Sequence, residues 1–483
     1  IVEYGGATNN ANLYLYHASP TIRNSTIRYS SGSGIYLNGS SNPTIGGENA
    51  GNIISGNDTY GIYSLDAVPF PQISHNTISN NGTYPLRVGA RMNVTDNAIS
   101  ENGIDGIEVV GEVVTADTTW VNNGVSYIVT SDVTIRSAGG GGAVVTLTIE
   151  PGVEVRFASG TGLIVSINSN YPGALSAQGT DGSPITFTSN SATPAPGNWK
   201  GIYFSNYTRD DQTILEHCIV EYGGATNNAN LYLYHAKPTI QYNTIRNSGH
   251  SGIYVNGTGS NGATINCNNL KDNHYGVYTT NSAQPLIHNN NFLRNFNYGV
   301  YNASGVTVNA EDNWWGDVNG PNYNGDAVHG DVDFEPWLTV ESDCINTPPT
   351  NSPPFTPKNP SPANGAVNVS LTDGSLTVAW AGGDPNSWDT VTYDVYLGTA
   401  SGSLTMVANS IDTASHVLSD LEDGTTYYWQ VIARDNGGLE TSGPVWQFTI
   451  QGPPPDLVVT SITWDPSANI EGGQEVTFTA TIQ

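Results

Sequence analysis

The chain has 483 residues, of which only 12% are charged; 42 acidic side chains against 14 basic ones leave a formal charge of −28. Such a field repels phosphate backbones, which excludes nucleic acid as a partner and argues against anionic membranes and acidic polysaccharides. The length provides for roughly three domains, and no apolar run approaches the ~20 residues of a membrane span, so no membrane insertion is expected of this fragment.

The opening eighteen residues, IVEYGGATNNANLYLYHA, return unchanged at 219–236, an offset of 218. The second copy has a run-up, GNWKGIYF and then TILEHCIVEYGG, that the first lacks. Duplication of a whole domain explains the offset, with the first copy beginning part-way through its own unit. No initiator Met or signal segment precedes Ile1, so a mature secreted fragment is expected.

Shorter units lie inside each copy. NTISNNGTYPLRVGA starts at Asn76 and NAISENGIDGIEVVG at Asn97; NTIRNSGHSGIYVNG, NNLKDNHYGVYTTNS and NNFLRNFNYGVYNAS start at Asn243, Asn268 and Asn290. Their apolar anchors are 21 residues apart for Ile78 and Ile99, and 25 and 22 apart for Ile245, Leu270 and Phe292. Short strands at this period, with no helical segment between them, predict a solenoid whose coils stack their apolar residues into one core. Asn is expected at the bends because it tolerates the left-handed conformation and bonds its neighbours there. In GIYF, NLYLYH, GIYV, GVYT and GVYN the flanking aliphatics must point inward, which sends Tyr203, Tyr232, Tyr234, Tyr254, Tyr278 and Tyr301 outward. Tyr14, Tyr36, Tyr16 and Tyr63 do the same in the earlier copy.

These units resemble the coils of a right-handed parallel β-helix of the pectate-lyase-like type, over roughly residues 1–340. The stretch SYIVTSDVTIRSAGGGGAVVTLTIEPGVEVRF, from Ser126, resembles an opening set of coils in secreted bacterial β-helices, and Asp312 to Leu338 a closing one. Residues 1–116 are therefore expected to be the C-terminal part of a first parallel β-helix, and 117–346 a second, complete one. A Pro-rich linker follows at 347–356. In 357–451, Leu421, Gly424, Thr425, Tyr427 and Trp429 resemble the corner of a fibronectin type III sandwich, with Trp380 as its core tryptophan. Residues 452–483 resemble a linker and the first strands of an incomplete, bacterial adhesion-type Ig-like domain. The fold class is all-β: right-handed parallel β-helix solenoids followed by Ig-like β-sandwich modules.

The resemblance brings polysaccharide lyases and hydrolases into view. A lyase needs a basic residue to remove a proton beside a carboxylate, and the candidates are Arg87 with Arg91, Arg209, Arg246 and Lys271. Arg28 and Arg246 hold equivalent duplicated positions, which suits a surface ladder better than a unique active site. Asp210-Asp211 and Gly249-His250-Ser251-Gly252 are partial echoes of galacturonan hydrolases, but no Arg-x-Lys exists. His17 and His235 are duplicated with their surroundings, as a turn or surface role requires. No residue is assigned as catalytic.

In the closing coil Asp317, Asn319, Asp326, Asp331 and Asp333 supply oxygen ligands of the kind calcium uses, or the hydrogen bonds of a cap; no other cofactor is implied. Cys218, Cys267 and Cys344 do not make a disulfide framework. Cys218 and Cys267 sit about two coils apart, too far to bridge easily at ~4.8 Å per coil. Sequons permit N-glycosylation at Asn24, Asn38, Asn57, Asn81, Asn93, Asn206, Asn256, Asn302 and Asn368.

The functional expectation is a non-enzymatic extracellular or cell-surface structural or adhesive protein. The incomplete end domains lead us to expect self-association, head to tail, into a filament. The alternatives are a polysaccharide lyase or hydrolase, and a carbohydrate-binding adhesin that meets glycans through the tyrosine stripe.

Overall fold

A computed structural model describes the chain except for Asn9, 65–70, Met92, 140–142, 168–169, Asn227, 346–352, 385–389 and 453–483. Almost all of its regular structure is β-strand, and it divides into two compact units at Pro349/Thr350.

The first unit is a parallel solenoid with three short strands per turn. The spaced anchors meet as expected: Ile78 lies opposite Ile99, and Ile245, Leu270 and Phe292 stand in one register. Aliphatic residues on alternate strand positions make a single buried column from Ile27 to Trp315. No single coil could bury that surface, so each depends on its neighbours.

Four rows of polar side chains run beside this column. Asn52, Asn76 and Asn97 form one, and Asn57, Asn81 and Asn102 another. In the later coils Asn243, Asn268, Asn290 and Asn313 form a third, and Asn273, Asn295 and Asp326 the fourth. Fully buried Asn268 is representative. Its Oδ1 accepts the backbone N–H and Nδ2 of Asn243, and its Nδ2 donates to Ile240 O, Asn266 O and Asn290 Oδ1, all at 3.0 Å. The expected reason for these asparagines is half right. They do bond their neighbours, but the left-handed residue at each bend is the one before: Tyr242, Cys267, Asn289 and Asp312 have φ between 54° and 59°. Since that position accepts many residue types, what fixes Asn at the next one is that a buried amide donates and accepts at once.

A sheet of twelve strands, from Ala11–Tyr16 to Asn291–Leu293, runs the length of the unit. The other two faces break. One sheet ends at Ala98–Ser100 and another at Asn93–Thr95; two sheets of nine begin at Val113–Val114 and Thr118–Trp120. Across the break Gly106–Val110 pairs with Ser126–Val129, and the core continues through Val109, Val114, Trp120 and Tyr127. The duplicated halves do not stack in phase. ANLYLY at Ala11–Tyr16 belongs to the twelve-stranded sheet, whereas ANLYLY at Ala229–Tyr234 belongs to a nine-stranded one. ANLYLY therefore moves to a different sheet between the copies, while the asparagine row carries on across the break, Asn97 N–H donating to Asn123 Oδ1 at 3.4 Å.

At the C-terminal end Trp315 is buried and stacks on Phe292 at 4.7 Å. Gly320 has φ +81° and lies so close to Trp337 that a Cβ would approach the ring to 2.6 Å, so glycine is required there. Cys267 is bonded to Cys344 across 77 residues, a pair that spacing alone did not identify because Cys344 returns to the side of the column from outside the repeat. Cys218 is buried with its thiol donating to backbone carbonyls, and burial pushes its pKa up.

The second unit has a three-stranded antiparallel sheet, Lys358–Ser361, Leu376–Ala381 and Ser415–Leu418, and a larger sheet built around Val391–Ala400 and Thr426–Asp435. Trp380, Trp429, Trp446, Tyr393 and Phe448 share its core. Tyr427 Oη accepts the Glu422 N–H at 2.9 Å, the bond that defines a tyrosine corner. The Ig-like strands expected after 452 lie outside the described residues.

Candidate functional site

The tyrosines expected to face outward do so. Tyr203, Tyr232, Tyr254, Tyr278 and Tyr301 are half-buried and occupy one register, between inward residues such as Leu231 and Leu233. Successive ring centroids are 5.3, 4.9, 4.9 and 4.9 Å apart, and His329 continues the row 4.4 Å beyond Tyr301. Tyr234 stands outside the row, 6.4 Å from Tyr203 and edge-on to His235. The earlier copy repeats the pattern on its own face with Tyr14, Tyr36 and Tyr63, 5.3 and 4.9 Å apart. Arg87 closes that row, its guanidinium 4.7 Å from the Tyr63 centroid. Because the rings lie face to face, an interior tyrosine presents its edge and hydroxyl to solvent and keeps its faces for its neighbours. The hydroxyls are also used: Asn256 donates to Tyr232 at 2.7 Å, and Asn38 to Tyr14 at 2.8 Å, the same bond in both copies.

A second file of rings was not legible from alternation. Tyr275 and Tyr298 stack 6.3 Å apart and sit edge-on to the main row, with His250 4.9 Å from Tyr275. Strict alternation would turn Tyr275 inward. The register between coils is kept, Ser251 facing Tyr275 and Ile253 facing Val277, but the inward–outward alternation breaks at Gly252, Gly276 and Gly299, where a Cβ on Gly252 or Gly276 would strike the next coil's carbonyl at 2.8 or 2.5 Å. The glycine before each strand apex was the available signal. Burial, with His274 nearby, lowers the His250 pKa.

The arginine candidates are tied down. Arg28 pairs with Glu3 at 2.8 Å and Arg246 with Glu221 at 2.6 Å, again a duplicated bond. Arg87 lies 3.5 Å from Glu108, Arg91 3.0 Å from Glu112, and Arg209 3.3 Å from Asp211. Lys271 follows Arg246 in register on the same strip. Asp210 and Asp211 do not work as a pair, because Asp210 accepts the Lys237 N–H at 2.9 Å while Asp211 holds Arg209. His17 and His235 lie against Gly39 and Gly257 of the following coil, a packing role in both copies.

The five candidate calcium ligands do not converge. Asp317 accepts two bonds from Asn319, Asp331 accepts the Thr307 hydroxyl at 2.7 Å, and Asp333 lies in the ladder beside Asn309. Asp326 ends a polar row, where burial pushes its pKa up to about 6. Among the described residues no group of three or more His, Cys, Asp or Glu side chains could hold a metal ion. Three sequons must also be withdrawn: Asn57, Asn81 and Asn302 are buried with their amides bonded inside the column, so no glycan can be attached there in the folded chain. Asn24, Asn93, Asn206 and Asn368 are exposed, and Asn38 and Asn256 half-buried.

The break between the two halves leaves a cleft of about 650 Å³. Gln72, Asn93 and Thr95 come from the sheet that ends there, Asp117 and Thr119 from the start of the new one, and Glu150 and Arg91 from its rims. Asp117 accepts the Thr146 N–H at 2.8 Å and Glu150 the Asn122 N–H at 3.0 Å, so both carboxylates already brace turns.

The family described as "Right handed beta helix region" matches residues 11–148 and 151–315. The chain belongs to this right-handed β-helix family. The match covers both copies, and its two segments meet just beyond the phase break. A solved Fn3-like protein from Clostridium thermocellum aligns with 26% identity over 21% of this chain and 97% of that one, with a TM-score of 0.16. No curated protein matches. No helix among the described residues is long and apolar enough to cross a membrane.

Proposed function

We propose that this β-helix is a non-enzymatic structural or adhesive protein of the cell exterior, and that residues 357–451 are a fibronectin type III spacer. The observation that carries the reading is the fate of the candidate catalytic arginines. Arg28 and Arg246 make the same ion pair in both copies, and Arg87, Arg91 and Arg209 are each neutralised by a carboxylate. An arginine held so has no free lone pair or open site at which to take a proton from a substrate. A disulfide between Cys267 and Cys344 supports an oxidising compartment, and the tyrosine corner at Tyr427 supports the spacer.

Incubation with uronate polymers and with neutral polysaccharides tests this directly. Neither ultraviolet absorbance from unsaturated uronates nor new reducing ends should develop. Turnover that disappears in Arg87→Ala or Arg246→Ala would sink the proposal.

A further inference from the structure

The wall of the solenoid is interrupted at the join between the two copies. The sheet that ends at Asn93–Thr95 and the sheet that begins at Thr118–Trp120 lie beside each other without pairing, and the cleft of about 650 Å³ opens there. That volume falls within the range of small-ligand sites. On one wall Gln72 and Asn93 stand in register on adjacent coils, with Thr95 two residues further along the strand. Asp117 and Thr119 come from the other wall, and Arg91 and Glu150 from the rims.

These side chains are held in place by the fold itself. Asn93 Nδ2 donates to Gln72 Oε1 at 2.7 Å. Arg91 donates through Nε to Glu112 Oε1 at 3.0 Å and through Nη1 to Thr115 Oγ1 at 2.9 Å. Asp117 Oδ1 and Glu150 Oε2 each accept a backbone N–H. A mixed set of groups is left over. Asn93 keeps its carbonyl oxygen and one amide proton, and Asp117 and Glu150 each keep a carboxylate oxygen. The hydroxyls of Thr95 and Thr119 have no partner among the described residues. Apolar lining is confined to Ala116, Val121 and the threonine methyls.

We propose that this cleft binds a neutral disaccharide unit of a glycan. A sugar hydroxyl donates and accepts at once, so several of them can meet the carboxylate oxygens, the Asn93 amide and the threonine hydroxyls together. A cationic ligand would suit Asp117 and Glu150 but would face the Arg91 guanidinium and the Asn93 N–H. A uronate would face both carboxylates, in a chain that carries −28. An apolar side chain would take the same polar groups out of water and leave them without partners. Because the lining is already fixed by its own hydrogen bonds, little ordering remains to oppose binding. The site gives the adhesive reading a ligand class, and rests on that reading for the bound sugar to leave uncut.

The test is saturation-transfer NMR with cellobiose, xylobiose, lactose and mannobiose, on the full chain made without glycosylation because Asn93 lies in a sequon. At least one disaccharide should receive saturation at its ring C–H protons, with affinity of about millimolar. Asn93→Ala should weaken binding at least about fivefold, and Thr119→Trp, which fills the cleft, should abolish the transfer. Both positions are exposed, and the urea midpoint of each variant reports whether it folds. Should Asn93→Ala fail to fold, Thr119→Trp decides. No transfer to any of the four disaccharides overturns the proposal, as does undiminished binding by Thr119→Trp. Binding of putrescine or of digalacturonate in place of the neutral sugars would show a charge-selective site and overturn it equally. New anomeric signals in the same samples would show cleavage, which sinks the non-enzymatic reading and leaves the sugar site standing.

Discussion

Asp326 replaces an asparagine in a ladder otherwise made of amides, and Asp326→Asn isolates the effect of that exchange. Both carboxylate oxygens accept the Asn295 N–H at 3.1 Å, and Oδ2 also accepts Asn295 Nδ2 at 2.5 Å. These bonds favour the charged form, but burial outweighs them and raises the pKa from 3.8 to about 6. A folded pKa above the unfolded one means that the stabilisation is full below about pH 4 and is lost as pH rises through about 6. A shift of this size corresponds to about 3 kcal/mol. Asparagine keeps the acceptor oxygen for Asn295 and does not titrate. Urea unfolding of both proteins, followed by tryptophan fluorescence from about pH 3.5 to 8, gives a difference in which all other titrating groups cancel. That difference should move in favour of the variant by about 3 kcal/mol as pH rises, most of it between about pH 4.5 and 7. A difference that stays flat, or moves the other way, would refute the assignment of Asp326 as a carboxyl that resists ionisation.

Other perturbations test the remaining supports. Asn268→Leu removes a buried amide with bonds to two neighbouring coils and strands their donors and acceptors, and should destabilise the solenoid by about 3–5 kcal/mol, with faster hydrogen exchange in coils 243–313. Tyr254→Ala breaks two stacked pairs and should cost about 1–3 kcal/mol in urea unfolding; an unchanged midpoint would mean the row is ornament. Reduction of Cys267–Cys344, or Cys267→Ser, releases a 77-residue loop and should lower stability by up to about 4 kcal/mol, whereas Cys218→Ala should leave the disulfide intact on mass spectrometry.

Much of this molecule was legible because its periods are strict. The spacing of Ile245, Leu270 and Phe292 located the core, and alternation located the outward tyrosines. The failures have physical causes of the same kind. Tyr275 escaped because a glycine dictated by a neighbouring carbonyl resets the alternation. Cys344 escaped because it lies beyond the last repeat and only the return of the chain brings it to Cys267. The buried asparagines were credited with the bend itself, since a one-dimensional pattern cannot separate a residue that makes a turn from the residue after it that satisfies the turn. The candidate calcium ligands looked like a cluster only in sequence; each answers to a different local partner.

The offset between the two halves has a consequence for how such chains can grow. A copy added in phase would lengthen one aromatic strip along one side. Here the tyrosine strand of the second copy lies in a different sheet, so its strip is displayed toward a different direction, as successive leaves on a stem avoid shading each other. The two tyrosine strips then lie in different sheets of the same column. One sheet carries on across the join while the tyrosine strand moves to another.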